Sequence, residues 1–324
     1  MTAKTYPRRG MTKPIREEWS FKLNTNYNSA YEQLTAEKIA VLKNEPLKNH
    51  TTFKIGGPCP LFVTVNSVQE LKTTLKILDT HKIKFFLLGN GSNLLVDDSG
   101  INSAVITLSG EFKKIEINGN TIACGAGVSL AKLCTAAAQA NLQGLEFAYG
   151  IPGSTGGAAF MNAGAYGGEM ADVLTLAEHI TQDGEDGITK GEQLQFGYRS
   201  SCYRQNGCII TKLHFALQPG KFEEINAKMK DVMQRRTDKQ PLELPSAGSV
   251  FKRPQGAFAG TLIEQCGLKG YKIGGAEVSA KHAGFIVNSG GATCDDVLNL
   301  IKHIQTTVQE KTGYFLETEV IYLK

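Results

Sequence analysis

Two hydrophobic periods share this chain. Val68, Leu71, Leu75 and Leu78 fall on one face at helical spacing behind Ser67. That serine, with Glu70 three residues on, reads as a capping box opening a helix. Ile83 to Leu88 is a continuous apolar run closed by Gly89, the pattern of a strand buried on both faces. From Ile115 to Ile122 two short strands flank Asn118-Gly119, a strong hairpin signal. Ser129 caps a second helix carrying Leu130, Leu133, Ala137 and Leu142. Cys208 to Leu217 reads as a strand. Phe222, Ile225, Met229, Val232 and Met233 predict a helix through about Arg236, and Val297, Ile301, Ile304 and Val308 predict the last one, stopped by Gly313. Phe315 to Leu323 reads as a final strand. The mixture, with no internal repeat, is α+β.

Composition sets limits on this picture. A length of 324 residues suits two or three domains, and 41% hydrophobic with 20% charged residues is ordinary for a soluble globular chain. Residues 1–24 are polar and mostly basic, broken by Pro7, Gly10 and Pro14. They predict a disordered tail rather than a signal or transit peptide. A net charge of +4 gives no argument for nucleic acid. Seven cysteines without a C-x-x-C pair, and no leader, predict reduced thiols in a cytoplasmic protein. Six scattered histidines with no H-E-x-x-H predict no metal site, and no apolar run reaches the ~18 residues of a membrane span.

Glycine changes the picture most. Many of the 35 glycines gather in four segments: Gly89–Asn93, Gly125–Gly127, Gly150–Gly157 and Gly164–Gly168. Successive backbone N–H groups in such turns can form a nest for a phosphate. Gly125-x-Gly127 imitates a dinucleotide fingerprint, since it follows a strand and opens a helix. Its third position is Leu130 and its strand belongs to a hairpin, so a Rossmann reading is rejected.

Five strings carry a wider resemblance. They are Leu88-Gly89-Asn90-Gly91-Ser92-Asn93-Leu94-Leu95-Val96, the run Ile151-Pro152-Gly153-Ser154 through Gly167, Tyr198-Arg199-Ser200-Ser201, Ala247-Gly248-Ser249-Val250-Phe251, and Leu316-Glu317-Thr318-Glu319-Val320. In this order they resemble the UDP-N-acetylenolpyruvoylglucosamine reductase family, from about Asn49 to Leu323. The resemblance implies a two-part FAD-binding region of the PCMH/vanillyl-alcohol-oxidase type and a third α+β substrate-binding domain. The expected divisions are 25–107 and 108–218 for the FAD-binding parts, 219–313 for the substrate domain, and 314–324 for a strand returning to the flavin.

The same resemblance implies the site. Arg199, Ser249 and Glu319 match the catalytic arginine, proton donor and glutamate. Gly89, Asn90, Gly91, Ser92, Asn93, Ile151, Pro152, Gly153, Ser154, Gly157, Ala158, Asn162 and Gly164 match contacts to non-covalent FAD. Lys239, Arg253 and His282 match substrate positions, though His282 stands where other members can carry glutamine. Arg199 and Ser249 are fifty positions apart, which implies the shorter family type without a tyrosine-bearing insertion.

The implied reaction is NADPH-driven, FAD-mediated reduction of the enolpyruvyl group of UDP-N-acetylglucosamine enolpyruvate to UDP-N-acetylmuramate, for peptidoglycan precursors. Its chemistry suits these residue types. Hydride addition to the enolpyruvyl methylene leaves negative charge beside a carboxylate. An arginine and a glutamate would hold and polarise that group, and a serine would protonate the carbon. On a regular strand Glu317 and Glu319 would share one face, so the resemblance alone selects Glu319. Two other readings stay open at this point. One is another FAD-dependent oxidase of the same architecture; such enzymes often tether flavin through a histidine, and residues 82–178 contain none. The other is a non-catalytic nucleotide-sugar binding module.

Overall fold

The computed structural model describes residues 25–324; the expected disordered tail lies outside them. Three sheets organise the chain. The first runs in the order Ala40–Pro46, Pro58–Val65, Ala104–Leu108, Phe85–Leu88. Its first pair is antiparallel and the rest parallel, with Phe62 opposite Val105 and Val105 opposite Phe86. The helix Val68–Thr80 makes the crossover and buries Leu71, Leu75 and Leu78. Only half of the expected capping box forms there. Ser67 accepts from the Glu70 amide, but Glu70 reaches one residue further back, to the Asn66 amide at 2.7 Å. The strand Phe85–Leu88 corrects another expectation. It is an edge strand, with Phe85 37% exposed.

The second sheet is wholly antiparallel, in the order Asp186–Lys190, Leu174–Ile180, Ile209–Ala216, Thr121–Gly125, Ile115–Asn118. The Asn-Gly hairpin forms as its sequence predicts, with Asn118 opposite Thr121 and Gly119 at φ 55°. A Cβ on Gly125 would strike the Phe112 backbone, and one on Gly127 the Leu108 carbonyl. These two glycines serve packing within the chain, which agrees with rejecting a Rossmann site.

The third sheet, Ser246–Ser249, Phe285–Asn288, Ala276–Val278, Lys272–Ile273, is antiparallel and covered by the helix Cys294–Thr312. Thr293 and Asp296 cap that helix reciprocally, and Gly313 ends it at φ 76°. Val297, Ile301, Ile304 and Val308 face the core, as their spacing predicts.

The cores do not follow the expected divisions. The first two sheets share one core, and it takes Ile225 and Met229 from the helix Phe222–Lys239. That helix, expected in the substrate domain, packs on the second unit instead. In turn Phe53, Ile55 and Leu95 leave the first unit and enter the core of the third. Phe53 is fully buried there, worth about 2 kcal/mol in removed apolar surface. The expected long terminal strand also shortens. Only Ile321–Leu323 is regular, parallel to Leu94–Val96. Before it, Thr318 makes a single bridge to Phe251.

Candidate active site

Arg199 sits at the tip of a tight turn closed by paired bonds between Gly197 and Ser200, both at 3.1 Å. Its φ is +54°, a left-handed conformation costing a side-chain-bearing residue roughly 1–2 kcal/mol. The surroundings hold it there. Arg204 donates to the Arg199 carbonyl at 3.0 Å, Asn162 to the Gly197 carbonyl at 3.1 Å, and Ser201 to the Phe160 carbonyl at 2.9 Å. Asn162 also accepts from the Ala171 amide and is 1% exposed. Both ends of its side chain are thus engaged within the chain, one of them bracing the Arg199 turn.

So presented, Arg199 donates through Nε to Oε1 of Glu319 at 2.7 Å. Its other arm lies 3.5 Å from the Gly164 carbonyl, and its cation faces the Tyr198 ring at 5.1 Å. The Glu319 side chain is 14% exposed. Burial raises its pKa above the ordinary glutamate value, against the opposing pull of Arg199, Lys252 and Arg204. Glu317 lies in different surroundings. Its side chain is 65% exposed and pairs with Lys252. The equivalence expected from strand spacing fails because the segment makes one bridge and no strand.

Ser249 ends the strand Ser246–Ser249, opposite Phe285, and is exposed. The next residue joins it to Glu319. Val250 accepts from the Glu319 amide at 2.7 Å and donates to the Gly284 carbonyl at 2.9 Å. Ser249 and Glu319 thus flank one peptide ladder. A groove of about 660 Å³ opens alongside, lined by Tyr198, Lys252, Arg253, Tyr314, Phe315 and Glu317. Arg253 donates its amide to the Tyr198 hydroxyl and stacks its guanidinium 4.0 Å over Phe258. His282 lies in the turn beside Gly284. Lys239 is exposed on the last turn of the Phe222–Lys239 helix and is not among the residues lining the groove.

Two of the glycine segments face each other. A Cβ on Gly89 would lie 2.7 Å from the Ser154 hydroxyl. Their chemistry differs. The backbone N–H groups of Gly89, Asn90, Gly91, Ser92 and Asn93 donate to nothing among the described residues. Gly91 takes φ 61° over the His50 carbonyl, where a side chain would collide. This is the open nest that a pyrophosphate requires. The amides of Ile151, Gly153, Gly157 and Ala158 are instead used internally, on Ala148, Ile151, Ser154 Oγ and the Ser154 carbonyl. Pro152 has none. Most amides of the second segment are thus spent on the chain itself, while those of Gly150 and Ser154 donate to nothing among the described residues.

The Asn93 side chain is also committed, donating to the Glu319 carbonyl at 3.3 Å, while its own carbonyl accepts from Ile321. This places the nest against the Glu319 segment. One residue escaped the sequence reading. Arg236 lies against Gly150, its Nε buried and without a partner among the described residues. Burial lowers its pKa, countered only by the Tyr166 phenol. Such a cation fits an anionic ligand in this cradle. Nothing in the helical pattern distinguishes it from Arg235. The open amides, the Gly89–Ser154 approach and this guanidinium together fit a bound flavin dinucleotide.

Comparison with known proteins covers most of the chain. Residues 59–186 match the FAD binding domain family and residues 240–323 the C-terminal domain family of UDP-N-acetylenolpyruvoylglucosamine reductase. The reductase of that name from Alkaliphilus oremlandii is 48% identical over 293 residues, 90% of this chain and 96% of that protein. The one from Syntrophomonas wolfei is 48% identical over 294 residues, 91% of this chain and 98% of that protein. The crystal structure of the Thermus caldophilus reductase superposes with a TM-score of 0.76 at 40% identity, covering 88% of this chain and 99% of that one.

Proposed function

The chain belongs to the UDP-N-acetylenolpyruvoylglucosamine reductase family, and from that premise we propose how its residues reduce UDP-N-acetylglucosamine enolpyruvate to UDP-N-acetylmuramate, with NADPH as hydride donor. The bound FAD that these residues would hold would supply the hydride chemistry between the nicotinamide and the enolpyruvyl methylene. The remaining work falls to the protein. The amides of Gly89–Asn93 and the Arg236 guanidinium would hold the phosphates of the dinucleotide. Arg199 binds the substrate carboxylate and stabilises the charge that develops beside it. Glu319 holds the Arg199 guanidinium in line and, through it, helps polarise the substrate carboxylate. Ser249 delivers a proton to the carbon next to that carboxylate. Arg253 and the aromatic groove beside it take the nucleotide end of the substrate, and Lys239 is assigned to the same end by its match to a family position alone. Seven free cysteines suit a cytoplasmic setting, and no described helix is long and apolar enough to cross a membrane.

The observation that carries this reading is the Arg199–Glu319 pair, tied through Val250 to Ser249 and through Asn93 to the open amide nest. Anaerobic spectroscopy tests it. NADPH should bleach the oxidised flavin bands, and the enolpyruvyl substrate should restore them without oxygen. Restoration by oxygen alone would instead identify an oxidase.

A further inference from the structure

The turn behind Ser249 is built around one imidazole. Ser279 Oγ accepts from the amides of Lys281 and His282, both at 3.2 Å, and the loop is closed by the Ser279 amide donating to the Phe285 carbonyl and the Phe285 amide to the His282 carbonyl, both at 2.9 Å. Within it His282 Nδ1 accepts from the Gly284 amide at 3.1 Å. That role requires Nδ1 to be unprotonated, with the ring hydrogen on Nε2. The ring is wedged in place. A Cβ on Gly260 or Gly284 would meet His282 Cε1 at 3.2 or 3.0 Å, and Phe285 packs edge-on at 5.0 Å. Gly284 then accepts from Val250 at 2.9 Å, and Val250 accepts from Glu319 at 2.7 Å. A single file of bonds leads from the imidazole to the peptide between Ser249 and Glu319.

We propose that His282 is a positioning residue: by accepting the Gly284 amide it fixes the peptide that aims Ser249 and spaces it from Glu319. The proposal rests on the reductase reading above, and gives His282 a role through the backbone rather than on the substrate. Among the described residues no other side chain hydrogen-bonds the ring. The charged groups facing it are Lys269 and Glu264, themselves paired at 2.7 Å, and neighbouring Lys281 is turned toward Glu243 at 3.8 Å. Burial, with Lys269 adding to it, lowers the His282 pKa, which favours the unprotonated acceptor. Protonation at lower pH turns the acceptor into a donor facing the Gly284 N–H, and the turn must open.

His282→Ala and His282→Asn test the proposal in the flavin-loaded enzyme. Asparagine can accept an amide two residues on, as in an Asx turn. Alanine should slow substrate-driven flavin reoxidation roughly tenfold, the scale of a displaced reacting group, and leave NADPH-driven reduction unchanged. Asparagine should recover most of that loss and remove the acid-side decline expected of the wild type. Amide exchange read by nuclear magnetic resonance should be faster at Gly284 in the alanine variant, and in the wild type below the imidazole pKa, but not in the asparagine variant. Equal slowing of both half-reactions, no rescue by asparagine, or unchanged Gly284 exchange would each overturn the proposal. Failure of the wild type to be reoxidised by substrate would count against the reductase reading instead, while the exchange measurement still decides the role of His282.

Discussion

Arg199 and Glu319 meet at 2.7 Å across 120 residues of chain, one from the tip of a strained turn and the other from a nearly irregular terminal segment. Neither element would hold its charged group in place alone. The arginine turn is braced by Asn162, Ser201 and Arg204, and the glutamate segment by Val250 and Asn93. Pre-positioning of this kind lets charge stabilisation operate without reorganisation during the reaction.

Ser249→Ala should leave flavin reduction by NADPH nearly intact, since that step places no proton on carbon. Reoxidation by the enolpyruvyl substrate should slow by about 10²-fold or more, the usual scale for a lost positioned acid. Stopped-flow measurement of the two half-reactions separates the steps. Parallel losses would make Ser249 structural.

Glu319→Gln should slow the same reoxidation by about 10²-fold or more, with FAD retained because amide and carboxyl have nearly the same shape. Glu317→Gln should cost within threefold or so, the range of an exposed ion pair with Lys252. If Glu317 proved the more damaging position, the assignment of the carboxyl would be wrong.

The raised pKa of Glu319 has a consequence for stability. Between the ordinary glutamate value and the raised one, the folded protein binds more protons than the unfolded chain. The contribution is full below the unfolded value and is lost as pH rises through the folded value. Glu319→Gln should therefore show a shallower decline than wild type over that window in urea midpoints taken at successive pH values. Parallel curves would mean the carboxyl titrates normally.

Gly89→Ala should weaken FAD retention about tenfold, because the new methyl meets Ser154 Oγ at 2.7 Å. Adding Ser154→Ala removes the obstructing oxygen and should recover part of the affinity, read as flavin fluorescence released on dilution. The rescue is incomplete because Ser154 also caps the helix Thr155–Phe160 through the Gly157 amide, a contact worth about 1 kcal/mol. Lack of any recovery would show that the Gly89–Ser154 approach does not govern flavin retention.

What the sequence determined by itself was local. The spacing of Val297, Ile301, Ile304 and Val308 and the stop at Gly313 define the last helix, because a 3.6-residue period and a left-handed cap depend on near neighbours. The Asn-Gly hairpin and the serine caps at Ser67 and Ser129 are legible for the same reason. The resemblance named Arg199, Ser249 and Glu319 through short strings of residues. Tertiary structure decided everything that hangs on distant partners. It moved the helix Phe222–Lys239 onto the second unit's core and sent Phe53 into the third. It parted Glu319 from Glu317, which strand spacing makes equivalent, by burying one against Arg199 and leaving the other in solvent. It left the amides of Gly89–Asn93 open and spent most of those of the second glycine segment on the chain itself. Glycine content marks where a backbone can bend; only packing across long sequence separations settles which of its N–H groups remain free to hold a ligand.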